Sequence, residues 1–500
     1  MRGLVAALMF LSSALAADDA APAVTWVKDS TVPLVQLTGE TFQYFSNGYH
    51  YKAATYAQTL TRSGLNGADL GIPVTFPDKM LFLFGDSWGY SLQDKKYVWH
   101  PGWGKDDSIG FIDLPFNFNA CHTMENIDQQ IKSGARPPTT DNRTAPLLKF
   151  LLKPKPIESE PDFQPTRIAG LQPGQELGPY EVPTGAFALN GYLYLFYNVK
   201  HQEQPNAAGE KVCFFLNSVL ARSDQTYTQW KSKAPPTFTR LYDFSEHERV
   251  ADVNAPPSDL HDVGKFIHAA PVVMDHAALE SARLLPLLPP DLQKAKSVIF
   301  VWGSSWRYVH SNLFLAAIAS DTIDTAADGK RNDANWWFCS GVSDGRPVWC
   351  HDEAAAAPLL DTWRPGGEPC IGEHSVAWNS TLRQFVLSYQ DRYIDIIFRT
   401  DATPWGPWSK EQRVFGLFDP WASKFIHHPG KDPITQNSDE VWRPDGKPFL
   451  APENSGATYG PYLLDTSTEN SDGSVTLYFV LSTWTPYNVW LMKTRLVRTR

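Results

Sequence analysis

Beyond its opening residues the 500-residue chain holds no run of 18 or more apolar residues, which excludes a membrane-spanning helix from the rest of it. Basic clusters are missing as well. Lys and Arg total 44 against 54 Asp and Glu, a formal net charge of −10, so the electrostatic footprint of a nucleic-acid binder is absent. The same balance disfavours an anionic polymer as partner and is indifferent to a neutral glycan. Cysteine is scarce: Cys121, Cys213, Cys339, Cys350 and Cys370, with no zinc-finger spacing and one thiol necessarily unpaired. His268, His310, His374, His427 and His428 show no spacing that demands a metal, and a buried imidazole is the reading for His374. Neither a metal nor a cofactor is expected.

What is present is a core-forming composition, 43% hydrophobic and 13% aromatic. Met1-Arg2, an apolar run over residues 4–11 and Ala14-Leu15-Ala16 have the charge, hydrophobic and cleavage regions of a secretory signal. Removal of residues 1–16 would release a monomeric, extracellular protein, residues 17–500 forming one domain. In an oxidising compartment Cys339 and Cys350, eleven apart, are the pair expected to bridge across a hairpin. The triplets starting at Asn142 and Asn379 fit N-glycosylation acceptors.

The stretch from Gly67 to Trp88 organises the rest. Two apolar runs separated by Pro77-Asp78-Lys79 read as a β-hairpin, with Asp69 opening it and Asp86 closing it. Antiparallel pairing returns both carboxylates to one end of the sheet, where facing side chains lie about 5 Å apart. Two such groups cannot both ionise freely, so the pair can supply an acid and a base. Glycosidic-bond chemistry needs such a pair. The alternative is that each Asp caps a turn.

Hairpins of the same kind recur. Asn190-Gly191 joins residues 183–189 to 192–197, with Trp230 on a fourth strand. Further units begin near Ala270, Glu373 and Tyr459. Five degenerate units of up to four strands describe an all-β fold, a five-bladed β-propeller. The last unit lacks a fourth strand, which residues 32–38 would supply, closing the ring. Segments near 90–180 and 236–297 read as loop insertions walling one face, the second with a short helix. A β-sandwich with an extra domain is the other architecture considered.

Asp69-Leu70-Gly71, Gly85-Asp86-Ser87-Trp88, Gly372-Glu373-His374-Ser375-Val376, Tyr459-Gly460-Pro461-Tyr462 and the run Ser482-Thr483-Trp484-Thr485-Pro486-Tyr487-Asn488-Val489 resemble a secreted five-bladed propeller family long catalogued as a domain of unknown function. Some of its members are endo-acting glycoside hydrolases that cut D-arabinofuranan. The resemblance covers roughly residues 30–498 and implies that Asp69 and Asp86 are the catalytic carboxylates. The long loops and Ser87-Trp88 depart from the family pattern and bear on the substrate.

In a propeller the inner strands line a channel, so Asp69, Glu373 and Tyr459, each opening one, gather at a mouth. Glu373 is a third carboxylate, either an acid, an orienting group or a cross-blade hydrogen-bond acceptor. Arg307 could bond sugar hydroxyls or form a structural ion pair. Trp88, Trp306 and Trp484 follow second strands and offer flat faces for sugar rings, and Asn488 joins this binding set. The resulting expectation is a secreted glycoside hydrolase acting on an extracellular furanosyl polysaccharide or oligosaccharide such as arabinan. A non-catalytic glycan-binding propeller and a polysaccharide lyase are the rivals; a lyase would want a basic pocket.

Overall fold

The computed structural model describes residues 23–46, 49–63, 65–91, 96–98, 107–134, 145–151, 167–171, 181–205, 211–230, 236–245, 264–305, 311–326, 333–360, 371–391, 395–416, 419–426, 457–484 and 487–499. The leader over residues 1–16 and Asn142 lie outside them. No helix among the described residues is long and apolar enough to cross a membrane.

Five antiparallel sheets follow one another along the chain. Blade 1 is built, from inside outward, of Leu70–Phe76, Lys79–Phe84, Ser108–Asp113 and Lys149–Phe150. Blade 2 contains Pro183–Leu189, Tyr192–Pro205, Lys211–Ser223 and Thr237–Phe244, with Arg167–Ala169 added in parallel at its edge. His268–Asp275, Ser297–Ser304, Leu313–Ala319, Trp337–Ser343 and Arg346–Cys350 form blade 3; His374–Asn379, Gln384–Asp391, Asp395–Asp401 and Gln412–Gly416 form blade 4. Blade 5 opens with Ala457–Tyr459 and Leu463–Glu469 and continues through Ser474–Trp484 and Asn488–Arg498.

Each inner strand lies beside the next, and that of blade 5 returns to that of blade 1. The ring is a five-bladed β-propeller. Val32–Gln36 pairs antiparallel with Asn488–Arg498, Val32 opposite Lys493 and Gln36 opposite Trp490, so the early segment completes the last blade as expected. Val24–Trp26 extends the same sheet. A central cavity of about 280 Å³ is lined by all five inner strands, through Val74, Ala186, Val272, Val376 and Leu463 among others.

The cohesion lies between blades. Apolar clusters fill the spaces between neighbouring sheets, and strands such as Ser297–Ser304 are buried on both faces. That double burial explains why they read as continuous apolar runs rather than alternating ones. Turn chemistry agrees: Asn190 and Gly191 both take positive φ (51° and 81°), the requirement of the tight hairpin that Asn-Gly signals.

Some sequence expectations change. The segments near 90–180 and 236–297 are more blade than insertion, since they carry the outer strands of blade 1, the outer strand of blade 2 and the inner strand of blade 3. The expected short helix is present at His276–Ser281, and a longer one, Thr123–Lys132, packs beside Val32–Gln36, tied by Glu125 to Lys493 (2.7 Å) and by Asp128 to Lys424 (3.1 Å). Trp230 is not on a fourth strand. It ends the short helix Tyr227–Trp230, where its ring meets Phe76 edge-on.

Cys339 and Cys350 are both free thiols. Their strands do pair, but the register sets Cys339 opposite Trp349 and Cys350 opposite Phe338. Paired residues share a face and adjacent ones alternate, so the two sulfurs point to opposite sides of the sheet. Cys339 packs between blades 3 and 4, Cys350 against the core between blades 2 and 3.

Candidate active site

Asp69 sits immediately before the inner strand of blade 1, and its carbonyl accepts the amide hydrogen of Gly85 (3.2 Å), which sets Asp86 one residue beyond. The strand does not open regularly. Leu70 and Gly71 both have positive φ (63° and 75°), and the register shifts between Leu70 and Ile72. A bulky residue held at positive φ is strained, and a bulge at a strand end re-aims the side chain beside it. Ser482 of blade 5 holds the bend by accepting the Leu70 amide hydrogen (2.8 Å).

The carboxyl of Asp69 is 7% exposed, and its Oδ2 accepts the Tyr459 hydroxyl (3.0 Å). Burial raises its proton affinity well above the usual carboxylate range, and the Asp86 charge raises it further; the Tyr487 and Tyr459 hydroxyls act the other way, and Glu373 adds a smaller upward push. Asp86 is half-buried, while Glu373 is 4% exposed. Burial and the Asp69 charge likewise push the phenols of Tyr459 and Tyr487 well above their ordinary range. Asp69, Asp86, Glu373 and Tyr459 therefore meet at one mouth of the ring, and Tyr487 and Tyr462 join them.

Space for the acid is provided by Gly85. A Cβ there would stand 2.8 Å from Asp69 Oδ1 and 2.8 Å from Leu70 Cδ1. Gly85→Ala is expected to displace the Asp69 carboxyl and lower turnover about 100-fold, the usual consequence of roughly 1 Å of misplacement. Steady-state kinetics on a cleaved glycan, with the melting temperature as control, checks this.

His268 and His374 lie behind this cluster, both fully enclosed. Burial and the neighbouring His374 bring His268 down to about 3; burial brings His374 down to about 4, against the pull of the Gly372 and Trp302 carbonyls. Both imidazoles are neutral, and His374 is buried, as read from the sequence. Among the described residues no three His, Cys, Asp or Glu side chains converge in a way that could hold a metal ion.

Other sequence candidates are placed elsewhere. Asn488 is fully buried, and its amide nitrogen donates to the carbonyls of Tyr487 (3.1 Å) and Thr38 (3.2 Å), so it pins the early segment rather than a sugar. Asn379 is 7% exposed, with Nδ2 donating to Ser467 and Oδ1 accepting the Leu382 amide hydrogen; that nitrogen is already used and closed to a glycan. Trp88 begins a side strand, Trp88–Ser91, and Trp484 ends Ser474–Trp484, while Trp306 and Arg307 lie outside the described residues. Tyr487 was not singled out beforehand, although it stands inside the run Tyr487-Asn488-Val489 whose neighbours were.

The chain is similar to several known proteins. A presumptive hydrolase from Bacteroides ovatus is 10% identical, with a TM-score of 0.43 over 91% of this chain and 93% of its own. The GH43_1 enzyme of Xanthomonas citri complexed with xylose is 11% identical (TM-score 0.33; 88% and 92% covered). An exo-1,5-α-L-arabinanase from a bovine ruminal metagenomic library is 9% identical (TM-score 0.33; 87% and 98% covered). No curated protein matches the chain. The family model described as a domain of unknown function, DUF4185, matches residues 55–493, and the chain belongs to that family.

Proposed function

We propose that this protein is a secreted glycoside hydrolase that cuts a furanosyl polysaccharide such as D-arabinan, with Asp69 as general acid and Asp86 as base or nucleophile. The observation that carries it is the Asp69 carboxyl: enclosed, held by a tyrosine hydroxyl and raised in proton affinity by burial and by the charge of the more exposed Asp86 beside it. Two carboxyls whose surroundings separate their proton affinities are what bond cleavage between sugars requires. Asp69 would protonate the leaving oxygen while Asp86, the more exposed of the two, activates water or attacks the anomeric carbon. Glu373 adds negative charge that favours an oxocarbenium-like transition state.

Incubation with D-arabinan, L-arabinan and galactan, followed by reducing-end assay, tests the reading; no new reducing ends from any of them would refute it. The pH dependence has a stated sign. An acid works only while protonated, so kcat/KM falls as pH rises through the raised Asp69 value. A profile flat on its alkaline side would remove Asp69 from that role.

A further inference from the structure

The second strand of each blade passes the mouth, and the residue there can be compared in four of the blades. In blade 5 it is Ser482, opposite Tyr459, whose hydroxyl fixes the Leu70 amide of blade 1. In blade 2 it is Asn198, whose Oδ1 accepts the Val182 amide hydrogen (2.5 Å). Blade 1 has Gly85, leaving room for Asp69. Blade 4 has Gln390, and its amide fixes nothing: it is 0% exposed, and neither Oε1 nor Nε2 has a hydrogen-bond partner.

Its direction follows from the pairing. The Gln390 amide hydrogen goes to the Glu373 carbonyl (3.2 Å) and the Gly372 amide hydrogen to the Gln390 carbonyl (3.3 Å), so Gln390 stands across from Glu373 and shares its face. Ser388, two residues earlier on that face, donates its hydroxyl to the Pro461 carbonyl of blade 5 (2.5 Å). The Gln390 side chain thus lies in the cleft between blades 4 and 5, beside Glu373 and the strand that ends in Tyr459. Gly372 makes room for it, since a Cβ there would be 2.5 Å from Gln390 Cγ.

A buried primary amide with both ends unpaired is unfavourable, and an apolar side chain of the same length would be more stable there. We propose that Gln390 is a sugar-binding residue of this site, its amide donating to one hydroxyl and accepting from another of the residue bound next to Glu373. This rests on the glycan reading above. Gln390 stands opposite Glu373 in the strand pairing, so a sugar that meets the Glu373 carboxyl meets the amide beside it. A side chain offering donor and acceptor from one planar group matches two neighbouring hydroxyls. It also rejects a deoxy analogue, which would leave one end of the amide unpaired.

The test is calorimetric titration of a D-arabino-oligosaccharide into an Asp69→Asn parent and into the same parent carrying Gln390→Met. The expected result is a 10- to 100-fold weaker Kd with a melting temperature unchanged or raised. Affinity within twofold of the parent overturns the inference, as does a fall in melting temperature with affinity retained. Should the Met variant not fold, Gly372→Ala displaces the amide without altering it and is expected to weaken binding likewise; unaltered affinity there overturns the assignment. A protein that binds the oligosaccharide but never cleaves it defeats the hydrolase reading and leaves this comparison decisive. A parent that binds no oligosaccharide defeats this inference too.

Discussion

Asp69→Asn is expected to lower glycan cleavage by about 10⁴-fold, the upper range for losing a general acid, while raising thermal stability at neutral and alkaline pH. Both effects come from one cause. Enclosure and the Asp86 charge lift the Asp69 proton affinity in the folded state above its unfolded value. The folded chain therefore binds that proton more tightly than the unfolded chain does. The associated stability is complete below the unfolded pKa and is lost as pH rises through the raised folded value. Asparagine never ionises, so it escapes that loss, keeps the shape of the side chain and can still accept the Tyr459 hydroxyl. The gain should vanish in acid, where Asp69 is protonated already. Reducing-end assays and calorimetric melting between pH 4 and pH 9 (roughly the span over which a raised carboxyl would titrate) check both halves. Full turnover in the variant would exclude Asp69 from the chemistry, and a lower melting temperature at neutral pH would contradict the account of its burial.

Asp243→Ala is expected to destabilise the fold by about 3–5 kcal/mol without touching the mouth. Arg240 and Asp243 form a doubly hydrogen-bonded pair on the outer strand of blade 2, Nε to Oδ1 at 2.7 Å and Nη2 to Oδ2 at 2.6 Å, with the side chains 4% and 0% exposed. Removing the carboxylate takes the bidentate counter-charge away from a guanidinium inside the protein. The Gly170 carbonyl, 3.5 Å from Nη1, carries no charge to replace it. Replacing both members, Arg240→Met with Asp243→Leu, should recover most of the loss, because a buried ion pair adds little over apolar packing. Urea unfolding of the two variants against wild type measures the difference. Equal loss in the single and double variants would mean that packing, rather than the lost counter-charge, is responsible.

The inner strands were legible because glycine or proline punctuates their openings and apolar residues fill them, as at Asp69-Leu70-Gly71 and Tyr459-Gly460-Pro461. That same punctuation places Asp69, Glu373 and Tyr459 at the openings of inner strands, hence at one mouth. The strand Ser108–Asp113 was not legible: two dozen residues separate it from its partner Lys79–Phe84, and no turn signal joins them. Register is equally hidden. Cys339 and Cys350 sit on paired strands, yet a shift of one position decides whether two side chains face each other or opposite sides. Asn379 and Asn488 show the limit of residue type, because an amide fit for a glycan or a sugar serves as well to hold backbone. Nothing in the local sequence marks Gln390; its place is set by pairing opposite Glu373.

The closure of blade 5 has a consequence for assembly. Thr38 and Val489, 451 positions apart, are joined by a hydrogen bond, and the strand around each completes the same sheet. Four blades are made of contiguous chain and can form as synthesis proceeds; the fifth must wait until its last strand has emerged. Until that moment the nascent protein is an open arc with two unsealed edges, so the clasp between its ends is the step at which the chain becomes committed to a ring, and a cut that frees the first forty residues would reopen it.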